Sequence, residues 1–227
     1  MCGICGIYNF SSQNIDSIKI IKKINNLQKN RGPDGNNLWQ SDCKKISLGH
    51  TRLSIIDLSD KADQPLISRD RNFVITFNGE IYNYKEIREL LFKKNIRLNS
   101  KSDTEIILES YKLWGIKFLN HLRGMFSFAI YDQQKKQIIL ARDPFGIKPL
   151  YFTKKNNVFY FASQIKSLLS INGLSFEKSE KGITSYYLWG NVQEPLTLYK
   201  DIQSVKRGNI KIINENGIEE NYEYTNI

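Results

Sequence analysis

The stretch GMFSFAIYDQQKKQIILAR, residues 124–142, decides the fold. Phe126, Phe128 and Ile130 alternate with other residues, Gln133 to Lys136 is polar, and Ile138 to Ala141 is apolar again. Alternation of period two on either side of a short polar break is the pattern of an antiparallel hairpin. Downstream, Leu150 to Ala162 reads as a second hairpin, Ile165 to Leu169 as a short helix before a less regular segment, and Ile210 to Ile213 with an Asn216-Gly217 turn as a last hairpin. Upstream, Ile87, Leu90 and Leu91 predict a helix over Tyr84 to Lys94, and Ile106, Ile107, Leu108, Tyr111 and Trp114 one over Asp103 to Trp114. Ser102-Asp103-Thr104-Glu105 has the form of a capping box. Phe73, Ile75 and Phe77 alternate, with strands expected on both sides of Asn78-Gly79, and Leu38 to Leu53 reads as a hairpin around Ser41 to Lys45. Ile18, Ile21, Ile24 and Leu27 give an amphipathic helix over Asn14 to Asn30, ended by Gly32-Pro33-Asp34-Gly35. Antiparallel runs with grouped helices predict an α+β protein whose sheets are covered by helices, not a doubly wound parallel sheet.

The 227 residues, 41% hydrophobic and 25% charged, suit one domain with one sizeable core. Lys and Arg (33) less Asp and Glu (23) leave +10. The basic residues are scattered pairs, Lys22-Lys23, Lys44-Lys45, Lys93-Lys94, Lys135-Lys136 and Lys154-Lys155, with no aromatic-interleaved stripe. A solvated surface is expected, and no nucleic-acid partner. Three cysteines, Cys2, Cys5 and Cys43, do not make a secreted disulfide framework and fit a reducing cytoplasm. No apolar run has the eighteen or so residues of a membrane span, so no membrane association is expected.

The opening Met1-Cys2-Gly3-Ile4-Cys5-Gly6-Ile7-Tyr8 carries the strongest chemical signal. Removal of Met1 would make Cys2 the N-terminal residue, with its own α-amine, pKa about 8, as general base for its thiol. Cys2-x-x-Cys5 also has the spacing of half a zinc site or a redox pair. A zinc site would need partners from Cys43, His50 and His121, which lack paired spacing, so no metal is expected. A redox pair usually follows a strand and opens a helix. Cys5 and Cys43 are expected as small apolar core residues.

Four further segments are rich in ligand-holding residues: Arg31 to Gly35, Gly49 to Leu53, Asn78 to Asn83 and Ser102 to Glu105. Singly, each has a plain reading: Asn78-Gly79 as a hairpin turn, Arg52 as a surface ion pair, Asp103 as a helix cap. Together, MCGICGIYNF, RGPDG, LGHTRLSIIDLS, FNGEIYNYKEIREL, SDTEIIL, LRGMFSFAIYD, ARDPFGIKPLYF and FASQIKSLL resemble the glutaminase domain of glutamine-hydrolysing asparagine synthetases. Those are class II glutamine amidotransferases with an N-terminal nucleophile.

The resemblance implies a four-layer αββα sandwich of two antiparallel sheets over residues 1–227. It implies attack on the side-chain amide of L-glutamine by Cys2, with the Asn78 side chain and Gly79 N–H as oxyanion hole. Arg52 would hold the α-carboxylate and Asp103 the α-ammonium, with Glu80 and the backbone at Leu53 framing the pocket. A forked guanidinium and a carboxylate match the two fixed charges of a free amino acid. The chain departs from the family at Gln164, where Glu is usual, at Arg207-Gly208, where Pro-Gly is usual, at Asn36-Asn37 after RGPDG, and by an extra residue near Asp60 to Asp63. It has no Ser-Gly-Gly-x-Asp pyrophosphate loop and no Walker-type glycine loop. The resemblance therefore implies a glutaminase domain without its synthetase domain and with no cofactor of its own. ATP and Mg would belong to that synthetase partner, whose ammonia acceptor is aspartate or, in an alternative reading, a sugar acid of surface-polysaccharide synthesis.

Overall fold

The computed structural model describes residues 1–11, 15–172 and 176–225. In chain order the elements are β1 (Gly3–Asn9), α1 (Ser17–Asn26), β2 (Gly35–Gln40), β3 (Ile46–Arg52), β4 (Leu66–Ile67), β5 (Phe73–Ile81), α2 (Tyr84–Lys93) and α3 (Asp103–Trp114). Then follow β6 (Gly124–Asp132), β7 (Gln137–Arg142), β8 (Tyr151–Lys155), β9 (Val158–Ala162), α4 (Ile165–Leu169), α5 (Glu180–Trp189), β10 (Gln203–Ser204), β11 (Asn209–Asn214) and β12 (Glu219–Glu223). The strands form two six-stranded sheets, ordered β10-β8-β9-β1-β3-β2 and β12-β11-β7-β6-β5-β4. Every neighbouring pair is antiparallel.

Alternation along the strands gives each sheet two apolar faces, and three apolar layers result. Ile4, Tyr8, Leu48, Val74, Ala129 and Phe161 fill the space between the sheets. Phe77, Ile107, Tyr111 and Phe128 pack α2 and α3 on one outer face, and Ile7, Ile21, Ile24 and Leu168 pack α1 and α4 on the other. Each such side chain contributes roughly 1.5–3 kcal/mol when fully buried. The order helix, sheet, sheet, helix is the expected αββα sandwich.

Several local expectations change. The first helix is only Ser17–Asn26, because the Asp16 side chain accepts from Lys19 N at 3.1 Å and sets its start. Asn14, its expected beginning, lies outside the described residues, as do Asn226 and Ile227 at the end of the expected domain. Asn78-Gly79 is no turn and separates no strands: both lie inside β5, opposite Ser127 and Phe126. A Cβ on Gly79 would sit 2.3 Å from Met125 O, so glycine is required by the close approach of β6. Only half of the capping box forms. Ser102 Oγ accepts from Thr104 N, but the Glu105 carboxylate turns to the amides of Asn99 and Ser100. Cys43 is exposed in the β2–β3 turn, not in the core. Helix α5 escapes sequence reading because Tyr186, Tyr187, Leu188 and Trp189 are all exposed, leaving no single apolar face.

The connection from β7 to β8 is built around one carboxylate. Asp143, fully buried, accepts from the amides of Phe126 (3.2 Å), Phe145 (3.1 Å), Ile147 (3.0 Å) and Lys148 (3.0 Å). Arg142 clasps the same loop through Gly146 O at 2.7 Å and Lys148 O at 2.8 Å. Asp143→Ala is expected to destabilise the protein by about 3 kcal/mol or more in urea unfolding, since several amides lose a charged acceptor together. Asp143→Asn, which keeps one acceptor oxygen, should lose less.

Candidate active site

Side-chain parity places the site. Ile4 and Tyr8 of β1 face the other sheet, so Cys2 emerges on that side. Ile46 and Leu48 of β3 put His50 and Arg52 there, and Val74 of β5 puts Thr76, Asn78 and Glu80 there. At this end the apolar filling gives way to a cavity of about 190 Å³. Cys2, Arg52, Leu53, Asn78, Gly79, Glu80 and Asp103, singled out from sequence, all line it. Its size is below the roughly 300 Å³ at which drug-sized ligand pockets begin and suits a small metabolite.

Cys2 Sγ lies 3.4 Å from the Leu53 N–H, which donates to it, and 3.6 Å from Leu53 O. Burial raises the thiol pKa, against the opposing pull of the Leu53 backbone, the N-terminal amine and Lys148. Arg31 Nε donates to Cys2 O at 2.8 Å and holds the residue's backbone. The amine of Met1 is shifted the other way, downward, mainly by burial and then by Arg31 and Lys148, with Cys2 opposing. Both shifts oppose transfer of the thiol proton to the Met1 amine, which is not the α-amine that Cys2 would carry once Met1 is removed. Cys5, by contrast, is fully buried on the opposite face of β1 with its Sγ 3.4 Å from Asn25 Oδ1.

The edge of β5 presents hydrogen-bond donors. Phe126 directs both backbone groups to Asp143, donating to its carboxylate and accepting from its N–H at 2.8 Å. Gly79, opposite Phe126, is thus in a non-hydrogen-bonded pair, and its N–H points to the other edge with those of Phe77 and Ile81. Phe77 N is taken by Gln64 Oε1 at 2.6 Å and Ile81 N by Asp103 Oδ2 at 3.0 Å. The Gly79 N–H between them is left toward the cavity. Beside it, Asn78 is 1% exposed and its Nδ2 has no partner among the described residues. Leaving a buried amide donor unpaired costs about 1–3 kcal/mol, which folding alone does not explain.

Asp103 is the first residue of α3, but the cap is Ser102. Burial pushes the Asp103 carboxyl up to about 6, against the amides of Ile81, Asp103 and Thr104, while Glu80 pushes it further up. Arg52 is already engaged: its guanidinium donates to Asp63 Oδ1 at 2.7 Å and to the carbonyls of Asp57 (2.6 Å) and Ser59 (3.0 Å). Sequence reading gave no role to Gln64, whose Nε2 reaches Thr104 Oγ1 at 3.0 Å while its Oε1 holds β5, or to the cavity residue Lys148, and it weighed His50, also in the cavity, only as a metal ligand and as part of Gly49 to Leu53. His50 Nε2 lies 3.2 Å from Phe77 O, and burial pushes its pKa down to about 3, so the ring is neutral near pH 7. Among the described residues no cluster of three or more His, Cys, Asp or Glu fits a metal ion, and no helix is long and apolar enough to cross a membrane.

The pattern of the glutamine amidotransferase domain matches residues 1–225. Asparagine synthetase [glutamine-hydrolyzing] 1 of Bacillus subtilis is 38% identical over 219 residues, 96% of this chain and 34% of that protein. A putative asparagine synthetase [glutamine-hydrolyzing] 2 of Methanocaldococcus jannaschii is 35% identical over 88% of this chain and 42% of its own length. The chain thus spans about a third to two fifths of these relatives. In fold it is similar to glutamine phosphoribosylpyrophosphate amidotransferase of B. subtilis, with a TM-score of 0.74 at 20% identity over 99% of this chain and 49% of that one.

The raised pKa of Asp103 has a definite signature. Its folded value of about 6 exceeds the ordinary 3.8, so the folded state binds the proton more tightly and stability falls as pH rises between these values. Relative to Asp103→Asn, the wild type should lose stability from about pH 4 to pH 6 and hold a constant deficit above; parallel denaturation curves at pH 4, 5, 6 and 7 measure it.

Proposed function

The chain belongs to the glutamine amidotransferase domain family, and from that premise we propose that it hydrolyses L-glutamine at Cys2 and releases glutamate and ammonia. The observation that carries this reading is the unpaired Asn78 Nδ2 beside the Gly79 N–H in the cavity that holds Cys2. Once Met1 is removed, the Cys2 α-amine takes the thiol proton and the thiolate attacks the side-chain carbonyl carbon of glutamine. The carbonyl oxygen becomes an oxyanion, which accepts from Asn78 Nδ2 and Gly79 N. Collapse breaks the C–N bond, the protonated α-amine returns its proton to the leaving nitrogen, and ammonia departs from a thioester. Water, deprotonated by the same amine, then hydrolyses the thioester to glutamate and the free thiol.

Asp103, with Glu80 near it, takes the substrate ammonium, whose charge favours the ionised carboxylate that burial alone disfavours. Arg52 takes the α-carboxylate in place of Asp63, whose side chain is 42% exposed and so is a weakly held partner. Ammonia passes to a synthetase domain of the kind named in the relatives, with aspartate as the acceptor. ATP and Mg belong, in this reading, to the portion of those relatives outside the matched region.

Two measurements test the assignment. Protein with an uncleaved N-terminal tag should lack glutaminase turnover, whereas protein whose intact mass shows loss of Met1 should release glutamate; full activity of the tagged form would refute the α-amine as base. Asn78→Ala should lower kcat by about 10² to 10³ with little change in KM, and Asn78→Asp should be worse, because a carboxylate would face the oxyanion. A folded Asn78→Asp protein with near-normal kcat would remove Asn78 from the oxyanion hole.

A further inference from the structure

Lys148 lines the cavity with Cys2, yet the reaction above gives it no task. It is 5% exposed, and among the described residues its ammonium has neither an ion pair nor a hydrogen bond. Its backbone is fixed at both ends, N–H to Asp143 Oδ2 at 3.0 Å and carbonyl to Arg142 Nε at 2.8 Å. The neighbouring carboxylate of Asp143 is taken up by four backbone amides. The Lys148 ammonium borders the cavity, and a rigid loop holds it in place.

Several other charges surround Cys2. Arg31 donates through Nε to the Cys2 carbonyl but its buried Nη2 has no partner among the described residues, Arg52 is paired with Asp63, and the Glu80 and Asp103 carboxylates add negative charge to the same wall. The Leu53 amide donates to the sulfur at 3.4 Å, and the N-terminal amine becomes a cation beside the thiolate when it takes the thiol proton. Lys148 is a further cation on this wall, and unlike the amine its charge is present before the thiol gives up its proton. We propose that Lys148 is a positioning residue whose ammonium stabilises the Cys2 thiolate and so sets the reactivity of the nucleophile. The pKa of Lys148 is lowered by burial and Arg31, with Cys2, Asp143 and Glu80 opposing. The proposal needs an ionising Cys2 but not glutamine as substrate, so it rests only partly on the glutaminase reading.

Alkylation by iodoacetamide tests it without substrate. Mature wild-type protein, Lys148→Met, Lys148→Gln and Lys148→Arg are treated from pH 5 to pH 10, and peptide masses follow Cys2 with exposed Cys43 as internal control. In both neutral variants the Cys2 midpoint should rise by about one pH unit, with alkylation at pH 7 about 5- to 10-fold slower. Lys148→Arg should restore the wild-type profile, and Cys43 should not change. An unmoved Cys2 midpoint in either neutral variant with a native melting curve overturns the proposal. So does a raised KM for glutamine with an unmoved midpoint, which would make Lys148 a carboxylate ligand instead. Glutamate release by wild type, assayed separately, shows whether the glutaminase reading itself holds.

Discussion

The two sheets are joined by apolar contact along the facing sides of β1, β3, β5 and β6, and the cavity lies where that contact stops. Ile4, Leu48, Val74 and Ala129 close the gap between sheets, while Cys2, His50, Asn78 and Met125 occupy the same faces at one end. Because strand side chains alternate strictly, the register that buries the first set also aims the second set inward. A slip of one residue in β5 would place Asn78 under α3 and Phe77 between the sheets. The core therefore holds the site in register, and no separate device is needed for that.

Fine placement depends on carboxylates and amides that serve the backbone. Asp143 takes both backbone groups of Phe126 and so turns the Gly79 N–H away from β6. Gln64 and Asp103 satisfy the flanking amides of Phe77 and Ile81, which leaves the one between them available. The same region keeps groups that a purely stable protein would avoid: an Asn78 amide nitrogen unpaired among the described residues and a desolvated Asp103 carboxyl. Concentration of such costs in one cavity is the usual mark of a site tuned for binding and chemistry over stability.

Much of the architecture was legible in the chain. Alternation in Phe126 to Ile130, the polar break at Gln133 to Lys136 and the apolar spacing of α2 and α3 identify their elements, because half-buried strands and helices must repeat with their own geometry. The motifs around Cys2, Arg52, Asn78 and Asp103 marked the residues that meet in one cavity. The reading failed where local rules met tertiary demands. Asn78-Gly79 has the composition of a turn, yet it continues a strand because β6 approaches too closely for any side chain at Gly79. Helix α5 has no apolar stripe to read, since its aromatic residues face outward.

The sequence by itself determined the alternating faces, the helix boundary set by Ser102, and the inventory of nucleophile, charges and donors. Only the tertiary structure decided which of those groups remain unpaired. Arg52, read from the residues as a surface ion pair and from the resemblance as a carboxylate ligand, is a buried residue held by Asp63 and two carbonyls, whereas Lys148, unremarkable in its motif, lines the cavity with no partner for its ammonium among the described residues. Pairing depends on which distant segments share a wall and on what each polar group finds within about 3 Å, and that distance is not written in local sequence.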